Sequence, residues 1–401
     1  MQDLLRFSGL PDYAFPRLRN LLKNKKAPSC EVHMHIGEPT HQFPPFILEK
    51  LTENFSSFNS YPSNDGTIGL LSSISSWISK RYEVPTLDPT KNLISLNGTR
   101  EGLFNTTIAL SPTSKNGKVP AILLPNPFYQ CYMVAAKAIL AEPIFVPATN
   151  KTGFLPDFTR VPKTILDRTT ICYMCSPSNP QGAIASSDYW KNLLYLAETH
   201  DFKVFADECY SEIYQDKKPT GAIESVYRFD FDPERLIIFN SLSKRSNLPG
   251  LRSGFAAGGE KTISELKKLK SYSGAPTPTP LQFAAEAAWK DEKHVEDNRQ
   301  KYKEKLNLAN RILKNTTGYQ PPEAGFFLWI RVNNGESATI ELWEKFGVKV
   351  LPGAYLANKN HESFGKENPG ENFIRVALVG SIQQLNYGLT AISEYLNPTK
   401  I

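Results

Sequence analysis

Cysteine is scarce in this sequence: five residues in 401, Cys30, Cys131, Cys172, Cys175 and Cys209, scattered and odd in number. That set offers no disulfide framework, and a reducing, cytoplasmic setting is expected. Cys172 and Cys175 have the C-x-x-C spacing of a redox pair or half a metal site. They fall inside the apolar run ICYMC, however, which reads as a buried strand with small thiols in its core. No apolar run reaches the roughly 18 residues that suggest a membrane span. The opening stretch MQDLLRFSGLPDYAF has no basic region followed by an apolar one, so no secretory signal is expected. Blocks of Lys and Arg are missing as well. The formal charge is only +6, and the run LKKLK at 266–270 reads as one solvated helix face. Nucleic acid is therefore not an expected partner, while a mild positive excess suits small anions. Internal repeats and low-complexity tracts are absent too.

What remains is an ordinary globular text, 40% hydrophobic and 21% charged, long enough to divide into domains. Short apolar runs alternate with helical patterns, the mark of an α/β sheet with crossover helices. VPAILLP (119–125), TICYMCSP (170–177), FKVFAD (202–207) and RLIIFNS (235–241) are the clearest strands. They are almost continuously apolar, as strands covered on both faces must be. Ile68, Leu71, Ile74 and Ile78 make one helical stripe after the Asn64-Asp65-Gly66 turn signal. Ser186, Ser187 and Asp188 offer N-caps to a helix carrying Trp190, Leu193, Leu194 and Leu196. From about residue 280 the pattern changes to a long charged helix, the apolar run FFLWI and a last helix. The division expected is an N-terminal segment 1–45 packing with a small domain, a large domain 46–285 and a small domain 286–401. The Pro-rich stretch Ala275–Pro280 reads as the joint, and 357–372 as an exposed loop.

The chemically richest stretch is Ser241-Leu-Ser-Lys244-Arg-Ser-Asn-Leu-Pro-Gly-Leu-Arg252-Ser-Gly254. A lysine directly after a buried strand is unusual, because burial disfavours its charged form. One use of such a lysine is as an amine nucleophile that condenses with an aldehyde. Ser241, Ser243 and Arg252 could supply hydroxyls and a bidentate guanidinium for a phosphate. A surface loop, or a serine nucleophile paired with lysine, would also fit Ser-x-Ser-Lys. The second needs a helix opening at the serine, and Asn-Leu-Pro-Gly argues against it.

This stretch resembles the cofactor-lysine signature of class I/II aminotransferases, and the other parts follow in the family's order. Asn97-Gly98-Thr99-Arg100 opens a helix after a strand, where free N–H groups suit a phosphate. Asn126-Pro-Phe128-Tyr129 places an aromatic where the family stacks one on the pyridine ring. Asn179-Pro-Gln-Gly matches the turn whose asparagine bonds the cofactor's phenolic oxygen. Asp207-Glu-Cys-Tyr210 matches the pair that puts a carboxylate on the pyridine nitrogen and a tyrosine on that same oxygen. Arg375 stands where the family clamps the substrate α-carboxylate, and Gly37 lies in the Gly-Glu-Pro element beside the substrate. Each match alone suits an innocent turn, cap or solvated arginine. Together, at strand ends and in order, they point to one ligand site.

The resemblance spans the whole chain. It narrows, through Tyr13-Ala-Phe-Pro-Arg-Leu-Arg19, Ile36–Pro39 and Val350–Tyr355, to the bacterial N-succinyldiaminopimelate aminotransferases. Ser253 and Gln181 depart from the general class signature. The fold implied is the fold type I of pyridoxal-5′-phosphate enzymes: α/β, mostly parallel in the large domain, with a smaller α+β domain. The implied cofactor is pyridoxal 5′-phosphate on Lys244. The implied partners are amino acids and 2-oxo acids, with glutamate and 2-oxoglutarate as one couple. The resemblance also implies a homodimer in which Tyr61 crosses to the other subunit's cofactor phosphate. Arg17 and Arg19 are expected near the distal end of a long anionic substrate. The rivals are a different class I aminotransferase (aspartate, aromatic or acetyl-diaminopimelate), a C–S β-lyase, and a regulator with an aminotransferase-like domain. The regulator ranks last, because about 30 residues before Gly37 are too few for a DNA-binding domain.

Overall fold

The computed structural model describes residues 7–397. The outermost parts of the expected N-terminal segment and small domain, 1–6 and 398–401, lie outside the described residues. Twelve strands occur among them: β1 (Val32–His33), β2 (Leu93–Leu96), β3 (Ala121–Asn126), β4 (Glu142–Pro147), β5 (Thr169–Cys175) and β6 (Lys203–Asp207), then β7 (Leu236–Ser241), β8 (Gly254–Gly258), β9 (Phe327–Arg331), β10 (Val348–Lys349), β11 (Leu351–Pro352) and β12 (Phe373–Ala377).

Seven strands form the main sheet in the order β2-β8-β7-β6-β5-β3-β4, parallel except for β8. The four strands read most clearly from sequence are its centre. Their side chains alternate between two cores, as a period of two residues demands. Cys172, Met174, Val204, Ala206 and Ile238 pack on one face with the helices Ile68–Tyr82 and Ser187–Thr199. Ile171, Tyr173, Phe205, Ile237 and Phe239 pack on the other, with Leu103, Tyr132 and Ile263. This is why the runs contain so few polar residues: neither face meets water. Cys172 and Cys175, three apart in one strand, point to opposite faces, and both thiols are free.

A separate core gathers β9, β12 and the helices Lys293–Leu313, Gly335–Phe346 and Ile382–Leu396. Here β12 pairs antiparallel with β9 and β11. The N-terminal helix Ala14–Leu22 packs on the Gly335–Phe346 helix through Leu18 and Trp343, and β1 pairs with β10.

Two local expectations change. The Pro-rich stretch before 280 leads into a helix, Thr279–Lys290, rather than into the second core. Ala284, Ala285, Ala288 and Trp289 of that helix are buried in the core of the main sheet. The chain passes to the second core only at Asp291–Glu292, a junction the proline signal does not mark. Leu71, Ile74 and Ile78 are buried as their spacing predicts, but Ile68, in the first turn, is 59% exposed. Among the three candidate caps, Ser186 takes the N-cap, accepting from the Tyr189 amide.

Candidate active site

The carboxyl ends of β2, β3, β5, β6 and β7 share one edge of the sheet, because β2 and β7 run the same way on either side of the reversed β8. The motifs at Gly98, Tyr129, Asn179, Asp207 and Lys244 follow those ends, while Gly37, after β1, and Arg375, within β12, come in from the smaller sheets, so residues from 37 to 375 converge on a cavity of about 290 Å³. Gly37, Thr99, Arg100, Tyr129, Asn179, Asp207, Tyr210, Ser241, Ser243, Lys244, Arg252 and Arg375 all border it. Twelve separate sequence expectations meet in one place.

Lys244 sits in the short helix Leu242–Arg245 directly after β7, capped by the Ser241 hydroxyl accepting from the Ser243 amide. Its amine donates to the Gly37 carbonyl at 2.7 Å. Burial, the largest cause, lowers its pKa to about 8. An amine so placed is partly neutral near neutrality, as a nucleophile or base must be. Asp207, at the end of β6, is 6% exposed. Its carboxylate accepts from the Tyr132 hydroxyl at 2.6 Å and the Cys209 amide at 3.3 Å. Burial raises its pKa, and no cation opposes that shift. A buried carboxylate without a cation awaits one. Tyr132 escaped the sequence reading. Its only signal is its place three residues after Tyr129 in the helix Gln130–Ala138, which turns it under the sheet edge.

Arg375 comes from the centre of β12 and is almost fully buried. It donates to the Asn179 side-chain oxygen at 3.2 Å and the His35 carbonyl at 3.0 Å, and lies 4.2 Å from the Phe327 ring. Its Nε has no hydrogen-bond partner among the described residues. Burial lowers its pKa to about 10, so it stays a cation with an unused donor. Phe327 also leaves no room beyond Gly37, where a Cβ would sit 2.2 Å from its ring.

Arg252, in the left-handed region at φ 55, reaches back to the Pro249 and Asn97 carbonyls at 2.9 and 3.0 Å. It thereby braces the turn that opens the helix Thr99–Leu110, where Thr99 faces the Cys209 sulfur at 3.2 Å. Gly98 does not border the cavity but makes the bracing possible. Its φ is +78, and a Cβ there would lie 2.2 Å from Arg252 Nη2. Gly98→Ala should therefore displace Arg252 and weaken cofactor binding about 10-fold or more, read by equilibrium titration of the apoenzyme.

Tyr61, expected to reach a second subunit's site, is fully exposed and does not border the cavity of its own chain. Arg17 lies 3.8 Å over the Tyr355 ring, and Arg19 is exposed. The segment they belong to does reach the cavity, but through Tyr13, Ala14 and Phe15. The stretch 357–372 is not merely a loop. The Asn358 carbonyl and the Asn360 side chain both accept from Asn126 at 2.8 Å, and the Phe128 amide donates to the Leu356 carbonyl. Together they fix the corner that carries Tyr129, a role that a polar, Gly-containing stretch gives no sign of.

The site fits pyridoxal phosphate. It offers an uncharged-capable amine, a buried carboxylate lacking a cation, an arginine-braced helix opening and an arginine with a free donor. No helix among the described residues is long and apolar enough to cross a membrane, and no metal-ligating cluster occurs among them.

Residues 31–392 match the family described as aminotransferase class I and II. An LL-diaminopimelate aminotransferase of Natranaerobius thermophilus is 30% identical over 408 residues, spanning 99% of this chain and 100% of that protein. The crystal structure of an aminotransferase from Neisseria meningitidis is 35% identical, with a TM-score of 0.91 over 97% of this chain and 99% of that one. A probable N-succinyldiaminopimelate aminotransferase from Thermus thermophilus shares the fold, at 24% identity and a TM-score of 0.82, over 96% of this chain and 100% of that one. The chain belongs to the class I and II aminotransferases, a family whose members use pyridoxal phosphate.

Proposed function

We propose that this aminotransferase moves an amino group between glutamate and a diaminopimelate-type substrate, as an N-succinyl-LL-2,6-diaminopimelate:2-oxoglutarate aminotransferase. The observation that carries the reading is Arg375, buried, with Nε unpartnered, in the same cavity as Lys244. When bound, pyridoxal phosphate supplies an aldehyde carbon and an electron-accepting ring. The Lys244 amine would hold that aldehyde carbon and, once free, would move the proton from the substrate Cα to that same carbon. Asp207 keeps a proton on the ring nitrogen. Asn179 and Tyr210 would bond the phenolic oxygen, and Tyr129 would stack on the ring. Ser241, Ser243, Thr99, Arg100 and Arg252, with the Gly98 turn, would hold the phosphate. Arg375 binds the α-carboxylate, while Tyr13 and Phe15 limit the entry of water.

A second reading, LL-diaminopimelate itself as substrate, is favoured by the names of full-length curated relatives such as those of Natranaerobius thermophilus and Dehalococcoides mccartyi. Both are diaminopimelate chemistry and differ at the distal end. Following cofactor absorbance through each half-reaction with succinylated and free diaminopimelate separates them. Turnover of neither, with good rates on aspartate or aromatic amino acids, overturns the substrate assignment. Pyruvate release from cystathionine would point to a lyase instead.

The proposed working unit is a homodimer with shared sites. Tyr61 is 102% exposed, and Phe55, Phe58 and Ile68 are also uncovered, an apolar surface suited to a second copy. Tyr61→Phe and Lys244→Ala would then damage different halves of one site. Mixed under subunit exchange, the two variants should regain activity above either parent, approaching about a quarter of wild type, by statistical pairing. No gain, with exchange confirmed by mass spectrometry, means that Tyr61 serves its own subunit.

A further inference from the structure

The turn that carries the lysine, Lys244 to Asn247, is held by one distant stretch, the junction between the helices Thr279–Lys290 and Lys293–Leu313. The Arg245 guanidinium donates to the Ala288 carbonyl at 2.7 Å and the Glu292 carboxylate at 2.6 Å. The Ser246 hydroxyl pairs with His294 Nε2 at 2.8 Å. The remaining contacts converge on Asn298, which is 3% exposed. Its Nδ2 donates to the carbonyls of Lys244 and Arg245 at 3.2 and 3.3 Å. Its Oδ1 accepts from Asn247 Nδ2 at 2.8 Å and stands 3.1 Å from His41 Nδ1. A primary amide has two donors and two acceptor positions, and here all four are used. A buried amide so fully satisfied is stiff.

Two of those bonds bear on the chemistry. One reaches the lysine's own carbonyl. Another reaches His41, four residues after Gly37, whose carbonyl receives the Lys244 amine. The flexible lysine is thus anchored at its backbone by Asn298 and at its tip by Gly37, whose segment meets the same asparagine four residues on, at His41. We infer that Asn298 is a positioning residue for amino transfer, fixing the Lys244 backbone and the Gly37–His41 segment as one hydrogen-bonded unit and so setting where the amine rests. The inference rests on Lys244 as the cofactor lysine, not on which substrate is used. Misplacing a reacting group by about 1 Å costs on the order of 100-fold in rate.

The test reads the amine without substrate or cofactor. Apoenzyme is labelled with trinitrobenzenesulfonate across pH, and modification of Lys244 is quantified by peptide mass spectrometry. Burial holds that amine at about 8. In Asn298→Ala the loosened amine gains water, so its labelling midpoint should rise by about one pH unit. In the loaded enzyme kcat should fall about 10- to 100-fold while KM stays within about threefold. His294→Gln loosens the same turn at Ser246 only and should leave the midpoint in place. His41→Phe, which keeps the ring against Tyr302 and removes the bond to Asn298, should move the midpoint in the same direction by less. An unchanged midpoint in Asn298→Ala overturns the inference, as does an equal shift in His294→Gln. If Asn298→Ala does not fold, His41→Phe decides, and no shift there overturns it. Failure of the substrate assignment leaves this titration untouched. The lysine assignment is read separately, by borohydride reduction of the holoenzyme, where a pyridoxyl group fixed on a lysine other than Lys244 would sink it.

Discussion

Lys244→Ala should lower the rate of both half-reactions by about 10⁴-fold or more, the largest effect expected of any single change. The substitution removes the nucleophile that holds the aldehyde and the base that moves the Cα proton. Residual binding through the phosphate-facing groups should remain, because Ser241, Ser243, Thr99 and Arg252 do not depend on the amine for their geometry. Borohydride reduction of the wild-type holoenzyme should fix the pyridoxyl group on the peptide containing Lys244. In the variant, substrate should form a long-lived coloured complex that turns over slowly, and added small amines should restore part of the rate. Fixation on another lysine would remove the assignment. So would a variant within about tenfold of wild type, since among the described residues no other amine borders the cavity to replace it.

Asp207→Asn should slow the half-reactions by about 10³-fold while leaving cofactor bound. In the apoenzyme this carboxylate is buried, and its pKa is raised by desolvation. The sign follows directly: above that raised pKa the charged form is penalised, and a protonated ring nitrogen offsets the penalty. On the proposed mechanism, the buried carboxylate would keep the ring cationic. Asparagine keeps the shape and the Tyr132 hydrogen bond but not the charge. Stopped-flow absorbance of each half-reaction, with cofactor content measured in parallel, checks it. A near-normal rate would mean that ring protonation is not Asp207's task. Tyr132→Phe removes only the 2.6 Å hydrogen bond to the carboxylate and should cost about 3- to 10-fold, by loss of one charge-assisted bond.

Most of the main sheet was legible because both of its faces are buried. Strands such as Thr169–Cys175 have no solvent side, so their apolar runs could not be confused with surface segments. The motif residues from Gly98 to Lys244 were legible for a related reason: they follow strand ends of the main sheet, and parallel crossovers place those ends on one edge, whereas Gly37 and Arg375 come from the smaller sheets. The joint between the cores was not legible, since the prolines before Thr279 mark a helix start rather than a boundary. Ile68 shares the stripe of Leu71, Ile74 and Ile78 yet stays exposed, because a stripe tells which residues share a face, not whether a first turn is covered.

The sequence by itself determined the period of each element, the order of the motifs and the chemical type of each reacting group, since these depend on neighbours along the chain. Only the tertiary structure decided which distant groups support them. Tyr132 lies 75 residues from Asp207, Asn298 lies 54 from Lys244, and the carbonyl that receives the lysine amine lies 207 residues before it. Such pairs follow no repeat that a sequence can show. They exist because buried donors and acceptors must be satisfied by whatever the packed elements bring within about 3 Å.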